Sequence, residues 1–339
     1  MHAWSGFDKS SFSKHFSRIY IEDGAEAYPD AQTILARFPT ARRIPIRHYK
    51  DVFNRKHQDF QLQKRAMDII LAVKREGYLY AGSPQTPSFG HDRFFYNAMA
   101  LNCVYNCDYC YLQGMFPSAH LLFFVNPDAF FDSVVAELAK GPLYLCVSYD
   151  TDLLAMESFL PQCHRWIHFA AQRRDLVVEI RTKSGAYDAI RDTPVSDNVI
   201  LAWTCSPDEI IKVYESGTPP LDTRLSAMAQ AVKDGRKVRL CIDPILKIKD
   251  WQAVYSRCIE YIFERIPGAA LHDVSLGVFR MNKNYLNNIR AMRVDSDILF
   301  YPYDEKDQTM SYTDLDRESM LDFIRKTMSP YVQEERIIL

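Results

Sequence analysis

Three closely spaced cysteines are the strongest chemical feature of the chain. Cys103, Cys107 and Cys110 follow the spacing C-x3-C-x2-C, and Tyr109 and Tyr111 flank the last cysteine. Thiolates hold iron–sulfur clusters, and four of them would occupy every iron of a cubane cluster. Three thiolates leave one iron open, much as a catalytic zinc site keeps one position free. The spacing therefore predicts a [4Fe–4S] cluster with an open iron that can bind a small chelating molecule.

Two other interpretations of these cysteines are a buried apolar group and half of a zinc site. Free cysteine often serves as a core residue, and a zinc site would need a further cysteine or histidine pair. The sequence has no second C-x2-C pair, and the remaining cysteines stand singly: Cys146, Cys163, Cys205, Cys241 and Cys258. The sequence favours the cluster.

The cysteine spacing resembles the signature of the radical S-adenosylmethionine (radical SAM) enzymes. The resemblance implies that the open iron binds the amine and carboxylate of the methionine moiety of SAM. It also implies that the reduced cluster cleaves SAM to methionine and a 5'-deoxyadenosyl radical.

Composition and charge place the chain among ordinary soluble proteins. Its 339 residues are 47% hydrophobic and 25% charged, which is typical of globular domains. The sequence contains neither an apolar run long enough to span a membrane nor a secretory signal at its start. Eight cysteines in a chain of this length do not predict a disulfide scaffold. We therefore expect a cytoplasmic protein with no membrane partner.

The net charge of −2 predicts no general attraction to nucleic acid, although a local basic patch can still provide it. One basic stretch lies near the N-terminus. A solvated surface of amphipathic helices is the favoured interpretation, and a phosphate-binding face is the alternative. The residues are Arg42, Arg43, Arg47, His48, Lys50, Arg55, Lys56, Lys64 and Arg65.

The predicted elements alternate between strands and helices from residue 94 onward. Roughly six strand–helix units in series predict an α/β fold whose parallel strands are joined by right-handed crossovers, in an open or partial barrel. We divide the chain into an N-terminal extension (1–92), a barrel (93–300) and a C-terminal segment (301–339). Predicted strands cover 18–22, 78–81, 94–101, 143–149, 176–181, 199–204, 237–242 and 274–278. Predicted helices cover 32–38, 61–75, 127–140 (with Asn126 as N-cap), 154–173, 186–191, 208–214, 223–234, 251–266 and 286–292.

The carboxyl ends of parallel strands are where such barrels bind substrates. Polar residues follow the predicted strands there, and they are Ser148 to Asp152, Thr182 to Ser184, Thr204 to Ser206, Asp243 and Arg280. Lys183 is a candidate partner for the SAM carboxylate, and hydroxyl groups such as that of Ser148 are candidates for the ribose. Cys146 is expected to be a core residue. Cys205, at a strand end, is equally compatible with a core role or with hydrogen-atom donation.

Beyond the cysteines, the chain resembles the spore photoproduct lyase family. Residues 107–113 resemble its Cys-x-Tyr-Cys-Tyr-Leu-Gln run, and residues 215–224 resemble its Pro-Gly-Thr-x-Pro-Leu-Asp-x-Arg run. Residues 20–22 and 28–29 resemble its opening. The resemblance covers roughly residues 18–280. It implies a partial (β/α)6 barrel and the reversal of a thymine dimer of the 5-thyminyl-5,6-dihydrothymine type in DNA.

The resemblance also implies roles for single residues. Cys103, Cys107 and Cys110 would hold the cluster. Tyr109 would lie near SAM, and Tyr111 near the path of hydrogen transfer. The SAM contacts would come from Thr151, Lys183 and Thr204.

Two departures from the family pattern stand out. The family returns a hydrogen atom to the product from a cysteine in a Ser-Cys-Thr-Ser-Asp run, and the matching run here places Tyr149 at that position. Tyr149 is therefore the candidate donor and Cys205 the runner-up, with Cys146 expected on the opposite face of its strand. The second departure is C-terminal. The family presents a hairpin containing Gly-Arg-Tyr-Gly to the lesion. Residues 300–314 here carry aromatic side chains but little positive charge, which weakens the case for phosphate contacts there.

The sequence leaves three functions open. A radical SAM lyase that repairs DNA thymine dimers is favoured, with damaged DNA and an external one-electron donor such as flavodoxin or ferredoxin as partners. A radical SAM enzyme of the same fold acting on a modified nucleotide or a peptide is the first alternative. A cluster-bearing binding or redox-sensing protein without turnover is the second.

Overall fold

The larger of two main sheets is a half-barrel. A computed structural model describes residues 16–82 and 88–339. Six parallel strands lie side by side in chain order, and we call them the first to sixth barrel strands: Phe94–Tyr96, Leu143–Cys146, Leu176–Thr182, Val199–Thr204, Lys237–Ile245 and Asp273–Val278. Tyr80–Ala81 extends one edge in antiparallel pairing, and Ile337–Ile338 extends the other in parallel. The predicted α/β partial barrel is therefore confirmed.

The two faces of the half-barrel differ in chemistry. Leu145, Ile180 and Trp203 point toward the outer helices and join the main hydrophobic core. The inner face is partly charged, because Arg239 pairs there with Glu179 at 2.5 Å and with Asp273 at 2.5 Å. These buried ion pairs form the floor of the concave side, and the polar strand ends form its rim.

A second, smaller sheet precedes the half-barrel, and we call it the N-terminal sheet. Its strand order is Arg42–Ile46, Arg18–Glu22, Ile69–Ala72, Leu121–Phe124 and Ala100–Leu101. The first four are parallel and the last is antiparallel. This sheet takes two strands from after residue 92, and the division into segments 1–92, 93–300 and 301–339 stays a prediction.

Helices cover the outer faces of both sheets. The α-helices are Pro29–Arg37, Lys50–Phe53, Phe60–Arg65, Leu112–Met115, Pro127–Leu138, Gln162–Ala171, Asp208–Tyr214, Leu221–Lys233, Trp251–Arg265, Lys283–Met292 and Asp314–Met328. Short 3-10 turns are Ala25–Ala27, Leu154–Met156, Tyr187–Ala189, Gly268–Ala270, Asp297–Phe300 and Glu334–Arg336. Across the described ranges, no helix is both long and apolar enough to cross a bilayer.

Two predicted helices were wrong in their bounds, and the strand predicted over 94–101 is two strands in different sheets, Phe94–Tyr96 and Ala100–Leu101. The helix predicted over 61–75 ends at Arg65, and Ile69–Ala72 is a fully buried strand. The prediction failed there because a short apolar run has no periodicity that distinguishes a strand from a helix. The helix predicted over 154–173 is interrupted, and Pro161 immediately precedes its regular part. Asn126 stands at the predicted N-cap position of the next helix, but its side chain makes no capping hydrogen bond. Its amide pairs with the backbone of Lys74 in both directions at 2.8 Å.

The C-terminal segment forms a hairpin beside the half-barrel. Strands Asp304–Lys306 and Thr309–Ser311 pair in antiparallel fashion, and the second also pairs with Arg280–Asn282. Asp307 and Gln308 both have positive φ angles, of 49° and 61°, as a two-residue type I′ turn requires.

Candidate active site

The three motif cysteines line one small pocket at the rim of the half-barrel. They follow Asn102, whose φ of 68° turns the chain sharply out of strand Ala100–Leu101. The pocket is also lined by Lys64 and Tyr105, with further side chains of the same loop. Burial raises the pKa of Cys103 to about 12 and raises that of Cys107 further. Burial thus disfavours both thiolates, and a neighbouring cation or a bound metal would compensate their charge.

This thiol arrangement fits a cluster better than a single ion. Within residues 16–82 and 88–339, no group of three or more His, Cys, Asp or Glu side chains is placed to ligate one metal ion. In a cubane cluster each thiolate binds a different iron, so its ligands need not converge on one point. Three thiols on one pocket, without a fourth, match the donor set predicted from the spacing.

Lys64 holds the cysteine loop in place through hydrogen bonds to its backbone, a role that the sequence did not predict. Its ammonium group donates to the carbonyl oxygens of Cys103 at 2.5 Å and Tyr105 at 2.9 Å. Burial lowers the pKa of Lys64, and the neighbouring cysteines oppose that effect. Lys64 therefore belongs neither to a solvated surface nor to a phosphate-binding face, the two roles considered for its basic stretch.

Arg293 clamps the other side of the loop. Its guanidinium pairs with Asp108 at 2.6 Å and donates to Gln113 at 2.7 Å. Gln113 in turn donates to the carbonyl oxygens of Cys107 and Asp108, both at 2.9 Å. The loop that carries the cysteines is thus fixed by charged groups from two distant parts of the chain.

The second family-like run, residues 215–224, locks against the cysteine loop. Glu215 lies opposite Cys107 in a short antiparallel pair. Its carboxylate pairs with the fully buried Arg224 and accepts from Ser206 at 2.7 Å and from the hydroxyl of Tyr109. Burial opposes ionisation of Glu215, but the charges of Arg224 and Lys183 lower its pKa to about 2. The run therefore supplies a buried ion pair, Glu215 with Arg224, that positions Tyr109. We call this pair the brace.

Lys183 lies between this brace and the cysteines. Its ammonium nitrogen is 5.4 Å from the ring centroid of Tyr109. Burial acts to lower the pKa of Lys183, but the charges of Glu215 and Cys107 outweigh it and raise the pKa. A cation is therefore held beside the thiols, where a bound ligand's carboxylate would be expected.

Three residues predicted to contact SAM at the rim form hydrogen bonds within the protein. Ser148 both donates to the carbonyl of Arg181 at 2.8 Å and accepts from its amide at 2.7 Å. Thr151 donates to the carbonyl of Asn102 at 2.6 Å. The carbonyl of Thr204 accepts from Arg224 at 3.0 Å. In this structure Ser148 and Thr151 brace the rim, and their predicted SAM contacts stay untested.

Tyrosines converge around Tyr149, the predicted hydrogen donor. Tyr149 stacks on Tyr96 with ring centroids 4.2 Å apart, and Tyr96 stacks on Tyr80 at 5.2 Å. The Tyr111 hydroxyl donates to the carbonyl of Tyr149 at 2.8 Å and lies 3.1 Å from a carboxylate oxygen of Asp150. Tyr149 is thus held on the concave side, directly against the residue that follows the third cysteine.

The structure places Cys205, the runner-up donor, and Cys146 on opposite sides of the half-barrel. Cys205 lies in the outer core, with its thiol 3.5 Å from the sulfur of Met228, on the helix-facing side of the half-barrel. Cys146 belongs to the inner-face cluster against which Tyr96 and Tyr149 pack. The expectation that Cys146 and Tyr149 occupy opposite faces was wrong, because the strand ends at Cys146 and regular alternation ends with it.

Asp150 gives the rim a pH-dependent stability. Burial raises its pKa to about 6, although the Tyr111 hydroxyl and the charge of Lys74 act in the opposite direction. In the unfolded chain its pKa is about 3.9, so the folded state binds the proton more tightly. The contribution of Asp150 to stability is therefore fully present below pH 4 and is lost as the pH rises through 6.

We expect Asp150→Asn to remove this dependence. At pH 7.5 the variant should be more stable than the wild type by up to ~3 kcal/mol, and at pH 4 the two should differ little. Denaturant unfolding of the cluster-free protein at both pH values measures the difference. Equal stabilities at pH 7.5 would refute the assignment.

The half-barrel with a three-cysteine loop at its rim is the architecture of a radical SAM protein. The family model described as spore photoproduct lyase matches residues 15–291. The chain therefore belongs to the spore photoproduct lyase family.

Individual relatives agree with this assignment. Spore photoproduct lyase of Bacillus subtilis (strain 168) is 22% identical over 267 residues, which cover 76% of this chain and 75% of that protein. The Geobacillus sp. (strain Y412MC61) enzyme is 21% identical over 264 residues, covering 76% of both.

Solved structures show the same fold over nearly the whole chain. Spore photoproduct lyase complexed with dinucleoside spore photoproduct superimposes with a TM-score of 0.81 at 16% identity, covering 95% of this chain and 97% of that chain. A mutant with bound AdoMet and the same dinucleoside superimposes with a TM-score of 0.78 at 17% identity, with the same coverage.

Proposed function

We propose that this protein is a radical SAM lyase that reverses a thymine dimer of the spore photoproduct type in DNA. The family match over residues 15–291 carries the proposal. The three thiols on one rim pocket support it, because the chemistry needs a cluster with an open iron. Relatives with the same fold are described with AdoMet and the dinucleoside lesion bound.

In this proposal Cys103, Cys107 and Cys110 hold a [4Fe–4S] cluster. The cluster, once reduced, would supply the electron that cleaves SAM. The chain contributes Lys183 beside the thiols to hold the carboxylate of SAM, and Tyr109 to form a wall of the same site. A thiolate-held cluster needs a reducing compartment and an outside electron source. We therefore place the protein in the cytoplasm with a flavodoxin- or ferredoxin-like donor.

Lys183→Ala should weaken SAM binding by roughly 10- to 100-fold, because a charge-assisted bond contributes about 1.5–3 kcal/mol. Iron content should stay unchanged, since Lys183 donates no ligand. Equilibrium binding of SAM to the reconstituted protein measures the effect, with the exposed Lys233→Ala as matched control. Wild-type SAM affinity in Lys183→Ala would exclude this role.

Tyr149 is proposed to return the hydrogen atom to the product radical. When the bond between the thymines breaks, one thymine is left one hydrogen short. The hydroxyl hydrogen atom of Tyr149 would complete it and leave a tyrosyl radical. That radical would regain a hydrogen atom from 5'-deoxyadenosine, which thereby becomes the 5'-deoxyadenosyl radical again. Tyr111, bonded to the carbonyl of Tyr149, would position that ring.

Reductive cleavage of SAM is the first test of this proposal. The reconstituted protein should release 5'-deoxyadenosine when dithionite and SAM are added under anaerobic conditions. A binding or redox-sensing protein would hold the cluster and release none.

Action on another substrate by the same fold is the second candidate. Tyr149 in place of the family's cysteine favours it, as does the hairpin Asp304–Ser311, whose charged residues are three acids and one lysine. Lesion-bearing oligonucleotide separates the two functions, since only a dimer lyase returns two thymines from it.

A further inference from the structure

We propose that a cleft at the carboxyl ends of the N-terminal sheet binds the phosphodiester backbone of the DNA strand that carries the lesion. This inference rests on the proposed function and adds where the rest of the substrate lies. The cleft has a volume of about 510 Å³ and is lined by residues 48–50, 73–77 and Tyr80. We call it the N-terminal cleft.

The position of the cleft is one that α/β sheets use for ligands. The parallel strands Arg18–Glu22, Arg42–Ile46 and Ile69–Ala72 all end beside it. Ligands of open parallel sheets bind outside the carboxyl ends of the strands. The N-terminal cleft therefore occupies a binding position of a sheet that is separate from the half-barrel.

Hydrogen bonds and an ion pair hold the segments that form the walls of the cleft. Glu22, which is 1% exposed, accepts from the amides of Tyr49 at 3.2 Å and Val73 at 2.8 Å. Its carboxylate also pairs with Arg75 at 3.2 Å. The Asn126 amide fixes the Lys74 backbone from the other side. Two segments that carry cations are thus held at fixed positions by one buried carboxylate and one amide.

The cations of the cleft remain available to an anion. Among the described residues, neither Lys50 nor Lys74 forms an ion pair with a carboxylate, and Arg75 keeps 55% of its side chain exposed beside Glu22. Lys74 instead donates to the Tyr80 hydroxyl at 3.0 Å. Glu76 is the carboxylate among the lining residues. Lysines and arginines around aromatic rings are the usual components of sites for single-stranded nucleic acid.

A stack of aromatic rings connects the wall of the cleft to the candidate active site. Tyr80, in its wall, stacks on Tyr96, which stacks on Tyr149. Gly77 permits the approach of Tyr80, because a Cβ at that position would lie 2.8 Å from the Tyr80 hydroxyl. Lys74 is also close enough to Asp150 to act on its charge. A strand whose lesion lies at Tyr149 would therefore place a flanking phosphate in the cleft.

The C-terminal hairpin offers no competing phosphate site. The hairpin carries three acidic residues, Asp304, Glu305 and Asp307, and one lysine, Lys306. Lys283 beside the hairpin is already paired with Glu305 at 2.5 Å. The phosphate contacts that a DNA substrate needs are thus better provided on the N-terminal side of the site.

Oligonucleotide binding tests this inference without requiring any chemistry. Lys50→Gln/Lys74→Gln should bind a lesion-free single-stranded oligonucleotide roughly 10- to 30-fold more weakly at about 0.1 M salt, because two phosphate contacts are lost. The slope of log affinity against log salt should fall in magnitude by about 1.4. Fluorescence anisotropy measures both, and the exposed pair Lys212→Gln/Lys233→Gln is the matched control. Wild-type affinity and slope in the cleft variant, or an equal loss in the control, would overturn the inference.

Turnover separates this inference from the proposed function. The dinucleoside lesion has no phosphate, so the ratio of kcat/KM for a lesion-bearing oligonucleotide to that for the dinucleoside should fall about tenfold in the cleft variant. An unchanged ratio would count against the cleft. If the wild-type protein converts neither substrate, the proposed lyase function fails, and the anisotropy result still decides whether the cleft binds DNA.

Discussion

Cys103→Ala, Cys107→Ala and Cys110→Ala should each lose cluster absorbance and SAM cleavage together. The three thiols line one pocket, and each would hold a different iron, so no remaining thiol can replace the lost one. Iron and sulfide content, the visible spectrum and deoxyadenosine release under dithionite measure the effect. We expect SAM cleavage to fall to background in all three variants.

Cys258→Ala is the matched control for this experiment. Cys258 is also a buried free cysteine, but it lies on helix Trp251–Arg265 and outside the pocket. The control should keep its cluster and its SAM cleavage, with at most a modest loss of stability. Full iron content and activity in Cys107→Ala would rule out the cluster assignment.

Tyr149→Phe should still cleave SAM but lose clean conversion of the lesion. The substitution keeps the ring that stacks on Tyr96 and removes only the hydroxyl, so the fold should survive. Without a hydrogen donor at this position, the product radical should form aberrant adducts instead of two thymines. Mass analysis of the nucleoside products, compared with the deoxyadenosine released, measures the change.

Two cysteine variants make the Tyr149 result interpretable. Cys205→Ala should give normal product, because its thiol contacts Met228 on the helix-facing side. Cys146→Ala should also give normal product, although its side chain packs with Tyr149 on the inner face. Normal product from Tyr149→Phe together with adducts from either cysteine variant would assign the hydrogen donor to that thiol.

The order of elements in the half-barrel was predictable from the sequence because each unit carries its own local signal. Strand Val199–Thr204 and helix Asp208–Tyr214 have the predicted bounds, and both are bounded by turn-forming residues. The N-terminal sheet was harder to predict. Ile69–Ala72 is buried on both faces, so its apolar run resembles part of a helix, and Leu121–Phe124 gave no separate signal.

The site was predictable where the chemistry resides in a short motif. The cysteines converge on one pocket as their spacing indicates, and Lys183 lies beside Tyr109. The supports of the loop were not predictable, because Lys64 and Arg293 reach it from residues far away in sequence. Nothing in the local pattern around either residue distinguishes a buried clamp from a surface charge.

Product analysis with the dinucleoside spore photoproduct tests the central claim most directly. The reconstituted protein is incubated without oxygen with SAM, dithionite and the dinucleoside, and the nucleosides are identified by mass. A radical SAM lyase for this lesion should convert the dinucleoside to two thymidines, with less than one 5'-deoxyadenosine released per dinucleoside repaired, because the return of hydrogen re-forms the deoxyadenosyl radical. Release of 5'-deoxyadenosine with the dinucleoside left intact would contradict the account and show that a different molecule is the substrate.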